Sequence, residues 1–219
     1  TLVNVYSTTK GMTAICAHQL IEQGLLDLSA PVARYWPEFS AQGKDNLPVH
    51  YLLSHRAGLP AVKAPLPEGS LYDWEKFTAA LAAQECWWEP GTQHGYHAIT
   101  FGHLVGELIR RVSGESVGTY FRKNVAEPLD ADFHIGVGPE FDSRISDLHG
   151  GMISSDANRT TQDLPAPIRE FMRKMSDPTT MTGAAFNNPP LLEGAVNSRA
   201  WRQAEIPAAN GHGTARALA

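Results

Sequence analysis

The sequence predicts a mixed fold of helices and strands in which helices predominate. Apolar residues recur at helical spacing over residues 11–23 and, most clearly, over residues 101–112. Two short runs, residues 2–5 and 133–135, are instead rich in residues that favour strands. The 219 residues contain no internal repeat and suffice for one domain with a sizeable core.

The first predicted helix directly follows the strand at residues 2–5, and Gly24 is expected to end it. Its apolar face consists of Met12, Ile15, Cys16 and Leu20. Later helices are predicted to begin at the capping residues Asp73 and Ser116. The strongest apolar face belongs to the helix that Gly114 ends, and its members are Phe101, Leu104, Val105, Leu108, Ile109 and Val112.

Beyond residue 139 the chain is rich in Gly, Pro, Asn and Ser, with short helical patterns near 167–175 and 198–204. Residues 214–219 have the pattern of a helix that has just begun. The chain thus begins within a predicted strand and ends within a predicted helix. We therefore expect residues 1–219 to form a single incomplete domain, a fragment of a longer protein.

Composition excludes several classes of function. The net charge of -5, without a basic stripe, argues against nucleic acid as a partner. No apolar run approaches the roughly 20 residues that a membrane-spanning helix needs. Cys16 and Cys86 do not make a disulfide framework. Among nine histidines only His94 and His97 form a close pair, with no cysteine or carboxylate at ligand spacing, so we predict neither a metal site nor a cofactor.

The first candidate site is Ser7-Thr8-Thr9-Lys10, an S-x-x-K pattern at the start of the first helix. Helical spacing places Lys10 one turn above Ser7 on the same face. A lysine whose pKa is lowered by burial can take the proton of a serine hydroxyl and make it a nucleophile. The free N–H groups of the first helical turn would favour an oxyanion near Ser7. Alone, the four letters are a weak signal and fit a hydroxyl-capped helix with a solvated lysine better than a catalytic pair.

Two further phrases carry candidate residues. Tyr96 lies in a turn-rich stretch ahead of the strongest helix, where a phenol beside a lysine could relay a proton; the alternative is a core or surface tyrosine. Trp87 and Trp88 are expected either to line an acyl pocket or to pack between helices. The phrase L-L-S-H-R-A-G-L-P at residues 52–60 has no evident chemical role and predicts a tight turn at its glycine.

Taken together, these phrases resemble the serine β-lactamase-like superfamily, which includes class C β-lactamases, D-alanyl-D-alanine carboxypeptidases and the esterases that share their fold. The resemblance covers nearly the whole chain, and its phrases stand in the family's order at plausible separations. They are S-T-T-K at 7–10, L-L-S-H-R-A-G-L-P at 52–60, W-E-P-G-T at 88–92, G-Y-H-A-I-T-F-G at 95–102 and N-G-H-G-T-A-R-A-L-A at 210–219. The fold implied is α+β, with an antiparallel sheet flanked by helices beside a helical subdomain. This chain would hold mostly the helical part, with the sheet truncated at both ends.

The resemblance also implies roles for individual residues. Ser7 would be the acylated nucleophile, Lys10 its proton acceptor, and Tyr96 the tyrosine of the family's Y-x-N motif. The backbone N–H of Ser7 would supply half of an oxyanion hole. In the family the other half comes from a late strand bearing K-T-G or a variant. We predict that His212-Gly213-Thr214 does not take this role, because no β-rich segment is expected around it.

One departure bears on the substrate. The Y-x-N motif reads Tyr96-His97-Ala98, so the amide that would hold a β-lactam or peptide is absent. The resemblance therefore implies a serine hydrolase that cleaves small-molecule carboxylic esters. We expect Trp87, Trp88 and His97 to be its substrate-binding residues. β-Lactamase or D-alanyl-D-alanine carboxypeptidase activity is the alternative substrate class. A non-catalytic scaffold of the same fold is the alternative of a different class.

Overall fold

A computed structural model describes residues 1–149, 164–191 and 194–219. The helices are α1 Thr9–Glu22, α2 Val49–Leu53, α3 Trp74–Ala83, α4 Thr100–Ser113, α5 Val117–Phe121, α6 Ala166–Ser176, α7 Met181–Asn187, α8 Arg199–Gln203 and α9 Ala215–Leu218. The strands are β1 Val3–Asn4, β2 Phe133–Ile135 and β3 Gly211–Gly213. Short 3₁₀ turns and one π turn, Arg122–Ala126, lie between them. None of the helices in this described part has the length and apolarity needed to span a membrane.

The three strands form one antiparallel sheet in the order β1-β3-β2. Asn4 and His134 both pair with His212, which lies in the central strand. The expectation that no β-structure surrounds His212-Gly213-Thr214 is therefore wrong. Gly-His-Gly has little intrinsic preference for a strand, but the Phe133 ring packs closely over Gly211, so tertiary contact outweighs local propensity.

Helices α1 and α4 pack against each other at the centre of the core. In α4 every residue from Thr100 to Ile109 is buried, in keeping with the strong apolar pattern of the sequence. The inward face of α1 is different, because Lys10 and Thr13 are buried in it while Ile15 is 44% exposed. The predicted inward position of Ile15 is thus wrong. The buried face of α1 carries the polar side chains of Lys10 and Thr13 instead.

A buried carboxylate joins α3 to α4. Glu107 accepts hydrogen bonds from Arg110 Nε at 2.8 Å, Arg111 Nε at 2.6 Å and Trp74 Nε1 at 2.7 Å. Burial acts to raise the pKa of Glu107, but these donors outweigh it, so the pKa lies below its usual value. Arg110 and Arg111 thus stabilise this charge within the fold.

Candidate active site

The Ser7 turn is fastened to strand β3. Ser7 lies in a 3₁₀ turn, Tyr6–Thr8, between β1 and α1. Gly211 accepts a hydrogen bond from Val5 N at 2.9 Å and donates its own N–H to Thr9 Oγ1 at 2.8 Å. Thr9 Oγ1 in turn donates to the carbonyl of Tyr6 at 2.5 Å. These contacts hold Tyr6 at a φ of +44°, a sparsely populated conformation for a bulky side chain, immediately before the exposed Ser7.

Lys10 lies directly beside this turn. Its side chain is only 8% exposed, and Nζ contacts Ser7 Oγ at 3.1 Å, the Ala98 carbonyl at 2.7 Å and the Ala208 carbonyl at 2.9 Å. Burial lowers the pKa of Lys10, against an opposing effect from Tyr96. A neutral amine would keep two N–H bonds for the two carbonyls and leave its lone pair facing Ser7. This geometry suits a base that takes a proton from Ser7 Oγ.

Tyr96 completes the cluster from the opposite side. Its hydroxyl donates to Ser7 Oγ at 2.7 Å, and Lys10 Nζ lies 4.8 Å from the centre of its ring. Burial acts to raise the pKa of Tyr96, but contact with the Lys10 amine and the hydrogen bond with Ser7 outweigh it, so the pKa of the phenol is lowered. Tyr96 is 47% exposed, so this side of the cluster borders solvent. The fold thus brings Ser7, Lys10 and Tyr96 together.

Two main-chain segments that sequence reasoning missed hold the lysine. Ala98 lies two residues before the start of α4, and Ala208 lies in the loop before β3. Gly102 packs against the backbone at Ala208, and Thr13 Oγ1 donates to the Pro207 carbonyl at 2.7 Å. Because carbonyl acceptors carry no side-chain signature, the sequence could indicate this only indirectly, through a glycine within an otherwise strongly apolar helix.

The match to a known protein family extends over the whole length of the chain. Residues 1–219 match the Beta-lactamase family. The chain belongs to the beta-lactamase family. This confirms the resemblance read from the sequence and, with the solved structures below, the predicted α+β fold.

Proteins similar to this chain include a curated relative and two solved structures. The esterase/beta-lactamase LipL of Mycobacterium tuberculosis is 39% identical over 98% of this chain, which spans 48% of the length of LipL. A family VIII carboxylesterase is 41% identical, with a TM-score of 0.81 over 98% of this chain and 52% of that structure. A penicillin-binding protein homologue from Caulobacter crescentus is 35% identical, with a TM-score of 0.82 over 100% of this chain and 54% of that one.

In this beta-lactamase-family chain, one of the residues predicted to bind substrate, His97, is buried, whereas Trp87 and Trp88 are half-buried. His97 is fully buried; its Nδ1 donates to the Gly95 carbonyl at 2.6 Å and its Nε2 accepts from Leu59 N at 3.1 Å. The indole of Trp88 packs against Gly95 and edge-on to His97. Trp87 donates to the Ala61 carbonyl at 2.9 Å and lies beneath Lys63. A substrate-binding role does not fit His97, because both of its ring nitrogens are engaged by the backbone.

His212, the first residue of the segment that was compared with the K-T-G motif of the beta-lactamase family, is also buried. Its Nδ1 donates to the carbonyl of Asn210 at 2.7 Å, and its side chain is 1% exposed. Burial lowers the pKa of His212 to about 4, so the ring is neutral at physiological pH. This position gives the imidazole a structural place in the sheet.

Proposed function

We propose that Ser7 is the nucleophile of a serine hydrolase that cleaves carboxylic esters through an acyl-enzyme. The observation that carries this proposal is the position of Ser7 Oγ, 3.1 Å from Lys10 Nζ and 2.7 Å from the Tyr96 hydroxyl. Both partners have pKa values shifted downward, which favours proton transfer near neutral pH. The names of similar proteins, an esterase/beta-lactamase and a carboxylesterase, support the same reaction class.

The reaction would proceed in two steps, acylation of Ser7 and then hydrolysis of the acyl-enzyme. Neutral Lys10 takes the Ser7 Oγ proton as Oγ bonds to the ester carbonyl carbon, and the oxyanion forms near the Ser7 N–H. The C–O bond to the alcohol then breaks, and the leaving oxygen takes a proton through Tyr96. In the second half, water loses a proton to the Tyr96–Lys10 pair and attacks the acyl carbon. Ser7 Oγ leaves, recovers its proton, and the carboxylic acid is released.

A small-molecule ester is the substrate class that the site favours. Ala98 stands where the Y-x-N motif carries an amide, its side chain is buried, and its carbonyl is engaged by Lys10. A β-lactam would therefore lack one polar contact, whereas a short ester requires only the nucleophile, the proton relay and the oxyanion site. Hydrolysis of β-lactams is the second candidate, and the name of LipL, esterase/beta-lactamase, favours testing it.

Intact-mass labelling tests this proposal. The complete protein that carries this chain is treated with a fluorophosphonate and, separately, with a penicillin, alongside Ser7→Ala. We expect one phosphonate adduct on the wild type and none on Ser7→Ala, with slow or no penicillin adduct. Fast penicillin labelling at Ser7 would favour the β-lactam candidate. Failure of the wild type to take up either probe would reject the hydrolase and favour a scaffold.

A further inference from the structure

The phrase L-L-S-H-R-A-G-L-P lies against the segment that carries Tyr96. His55, the histidine of that phrase, contacts both peptide N–H groups that flank the tyrosine. Gly95 N donates to the His55 carbonyl at 3.1 Å, and His97 N donates to His55 Nδ1 at 3.1 Å. The chain is thereby fixed on either side of Tyr96 by one residue.

The conformation of His55 makes this double contact possible. Its φ of +59° is in the left-handed region, which turns its carbonyl and its imidazole toward the same segment. The imidazole also packs on the phenol ring of Tyr96, with ring centres 5.0 Å apart, and on Phe101 at 5.2 Å. A histidine in this backbone conformation is uncommon, and here it is held by contacts to the catalytic segment.

A second histidine reinforces the arrangement from the other direction. His97 accepts a hydrogen bond from Leu59 N at 3.1 Å and donates to the Gly95 carbonyl at 2.6 Å. Residues 55–59 and 95–97 are thus joined reciprocally, each histidine using its ring to bind backbone. We call these two segments the histidine clamp.

The clamp requires both imidazoles to be neutral. His55 Nδ1 must be unprotonated to accept from His97 N, and His97 Nε2 must be unprotonated to accept from Leu59 N. Burial, with the charge of Lys10 and the proximity of His94, lowers the pKa of His55 to about 4. Burial also lowers the pKa of His97 to about 4. The titratable groups that face His55 come from two parts of the chain. Lys10 belongs to α1, and His94, Tyr96 and His97 belong to the segment 94–97.

We propose that His55 is a positioning residue, which fixes the Tyr96 hydroxyl against Ser7 by accepting the hydrogen bond from His97 N. This proposal rests on the proposed role of Tyr96 as a proton relay. The relay is sensitive to position, since a displacement of about 1 Å can lower a catalytic rate by about 100-fold. The phrase at residues 52–60 thereby acquires a role that its residue types alone do not reveal.

Three substitutions in the complete protein separate the acceptor from the backbone. His55→Asn keeps an acceptor near the place of Nδ1 and tolerates positive φ. His55→Gly tolerates the backbone but has no acceptor, and His55→Gln keeps size and polarity with its acceptor one bond further out. His50→Asn is the matched control, because His50 also uses Nδ1 in a backbone hydrogen bond and packs on a tyrosine, but it donates to the Leu28 carbonyl and packs on Tyr51.

Two readouts are measured, the ester kinetics and the pKa of Tyr96. The latter is followed by NMR of ¹³C-labelled tyrosine, with Tyr96→Phe identifying the resonance. In His55→Gly and His55→Gln we expect kcat to fall about 10- to 100-fold with KM within about twofold, and the pKa of Tyr96 to rise. His55→Asn should recover kcat to within about threefold and restore that pKa, and His50→Asn should match the wild type.

Unchanged kcat and an unchanged Tyr96 resonance in His55→Gly would overturn the proposal. So would an Asn variant that is as slow as the Gln variant, a comparison that remains valid if His55→Gly does not fold. Failure of the proposed function is distinguishable, because the wild type would then show no labelling of Ser7 while the Tyr96 resonance would still report whether His55 holds the phenol.

Discussion

Lys10 and Ala98 are joined by a hydrogen bond of 2.7 Å, from the lysine Nζ to the alanine carbonyl two residues beyond Tyr96. The residue proposed as the base therefore also holds the segment that carries the proton relay. Since the same Nζ reaches Ser7 Oγ at 3.1 Å, loss of the lysine would remove the base and loosen the tyrosine together. Substitutions at Lys10 and Tyr96 are thus expected to be coupled and not additive.

Replacement of the base should show that a neutral amine is required. Lys10→Arg keeps a positive charge but cannot release its proton, so we expect kcat/KM for an ester to fall about 10²- to 10⁴-fold. In the wild type, burial lowers the pKa of Lys10, so kcat/KM should rise with pH and level off below the ordinary lysine value of 10.5. Lys76→Arg, on the exposed face of α3, is the control. Retention of activity in Lys10→Arg would contradict the role of Lys10 as base.

Close packing at Gly211 should control the position of Ser7. A Cβ at Gly211 would lie 2.5 Å from the Phe133 ring and 2.7 Å from Thr9 Oγ1, which anchors the Ser7 turn. We expect Gly211→Ala to lower the free energy of unfolding by about 1–3 kcal/mol and to slow phosphonate labelling of Ser7. Gly11→Ala is the matched control, because no atom lies within 4 Å of its Cβ position in α1. It should stabilise the protein by about 0.5–1 kcal/mol. Equal effects of the two substitutions would contradict this account.

The buried Glu107 should be important for stability. Glu107→Gln removes the charge that Arg110, Arg111 and Trp74 stabilise, and we expect the free energy of unfolding to fall by about 1–3 kcal/mol in urea titrations. Glu75→Gln removes an exposed carboxylate that pairs with the same Arg110, and it should change stability by less than about 0.5 kcal/mol. A larger effect at Glu75 than at Glu107 would refute this ordering.

Acid should destabilise the fold through its buried histidines. Burial lowers the pKa values of His97, His103 and His212 to about 4, whereas an unfolded histidine titrates near 6.5. The unfolded chain binds more protons between these values, so stability is complete above about pH 6.5 and falls as pH drops toward 4. The test residue is His103, which lies between the rings of Trp74 and Phe77. His103→Leu replaces this titratable side chain with an apolar one.

We expect His103→Leu to flatten the pH dependence of the free energy of unfolding between pH 6.5 and 4 by up to about 1.4 kcal/mol per pH unit. The exposed His18 provides the control, and the slope should flatten more in His103→Leu than in His18→Asn. A wild-type protein with equal stability at pH 7 and pH 4.5 would contradict neutral burial of these histidines.

The sequence predicted the parts of the molecule that depend on local spacing. Three residues of helical separation placed Lys10 beside Ser7, and the apolar periodicity of α4 predicted the apolar face that packs in the core. The phrase at residues 95–102 follows the other phrases in the order of the family, and this order identified Tyr96 as the third member of the cluster. These features are encoded in the side chains and in their spacing along the chain.

Features set by long-range packing were not predicted. Strand β3 forms because the Phe133 ring covers Gly211, a contact between distant parts of the chain. The carbonyls of Ala98 and Ala208 hold Lys10, and any residue type could supply them. His97 looked like a substrate contact because of its place next to Tyr96, yet its ring points into backbone hydrogen bonds.

The three acceptors around Lys10 also make the cluster a reporter of folding. Ala98 and Ala208 lie 88 and 198 residues away along the chain, so the lysine environment exists only after these segments have come together. An unfolded chain would leave Lys10 solvated, with its ordinary basicity, and Ser7 unreactive. The fraction of molecules that a phosphonate labels at Ser7 would therefore report the natively folded fraction. Labelling at successive times after dilution from urea would measure the rate at which these segments assemble.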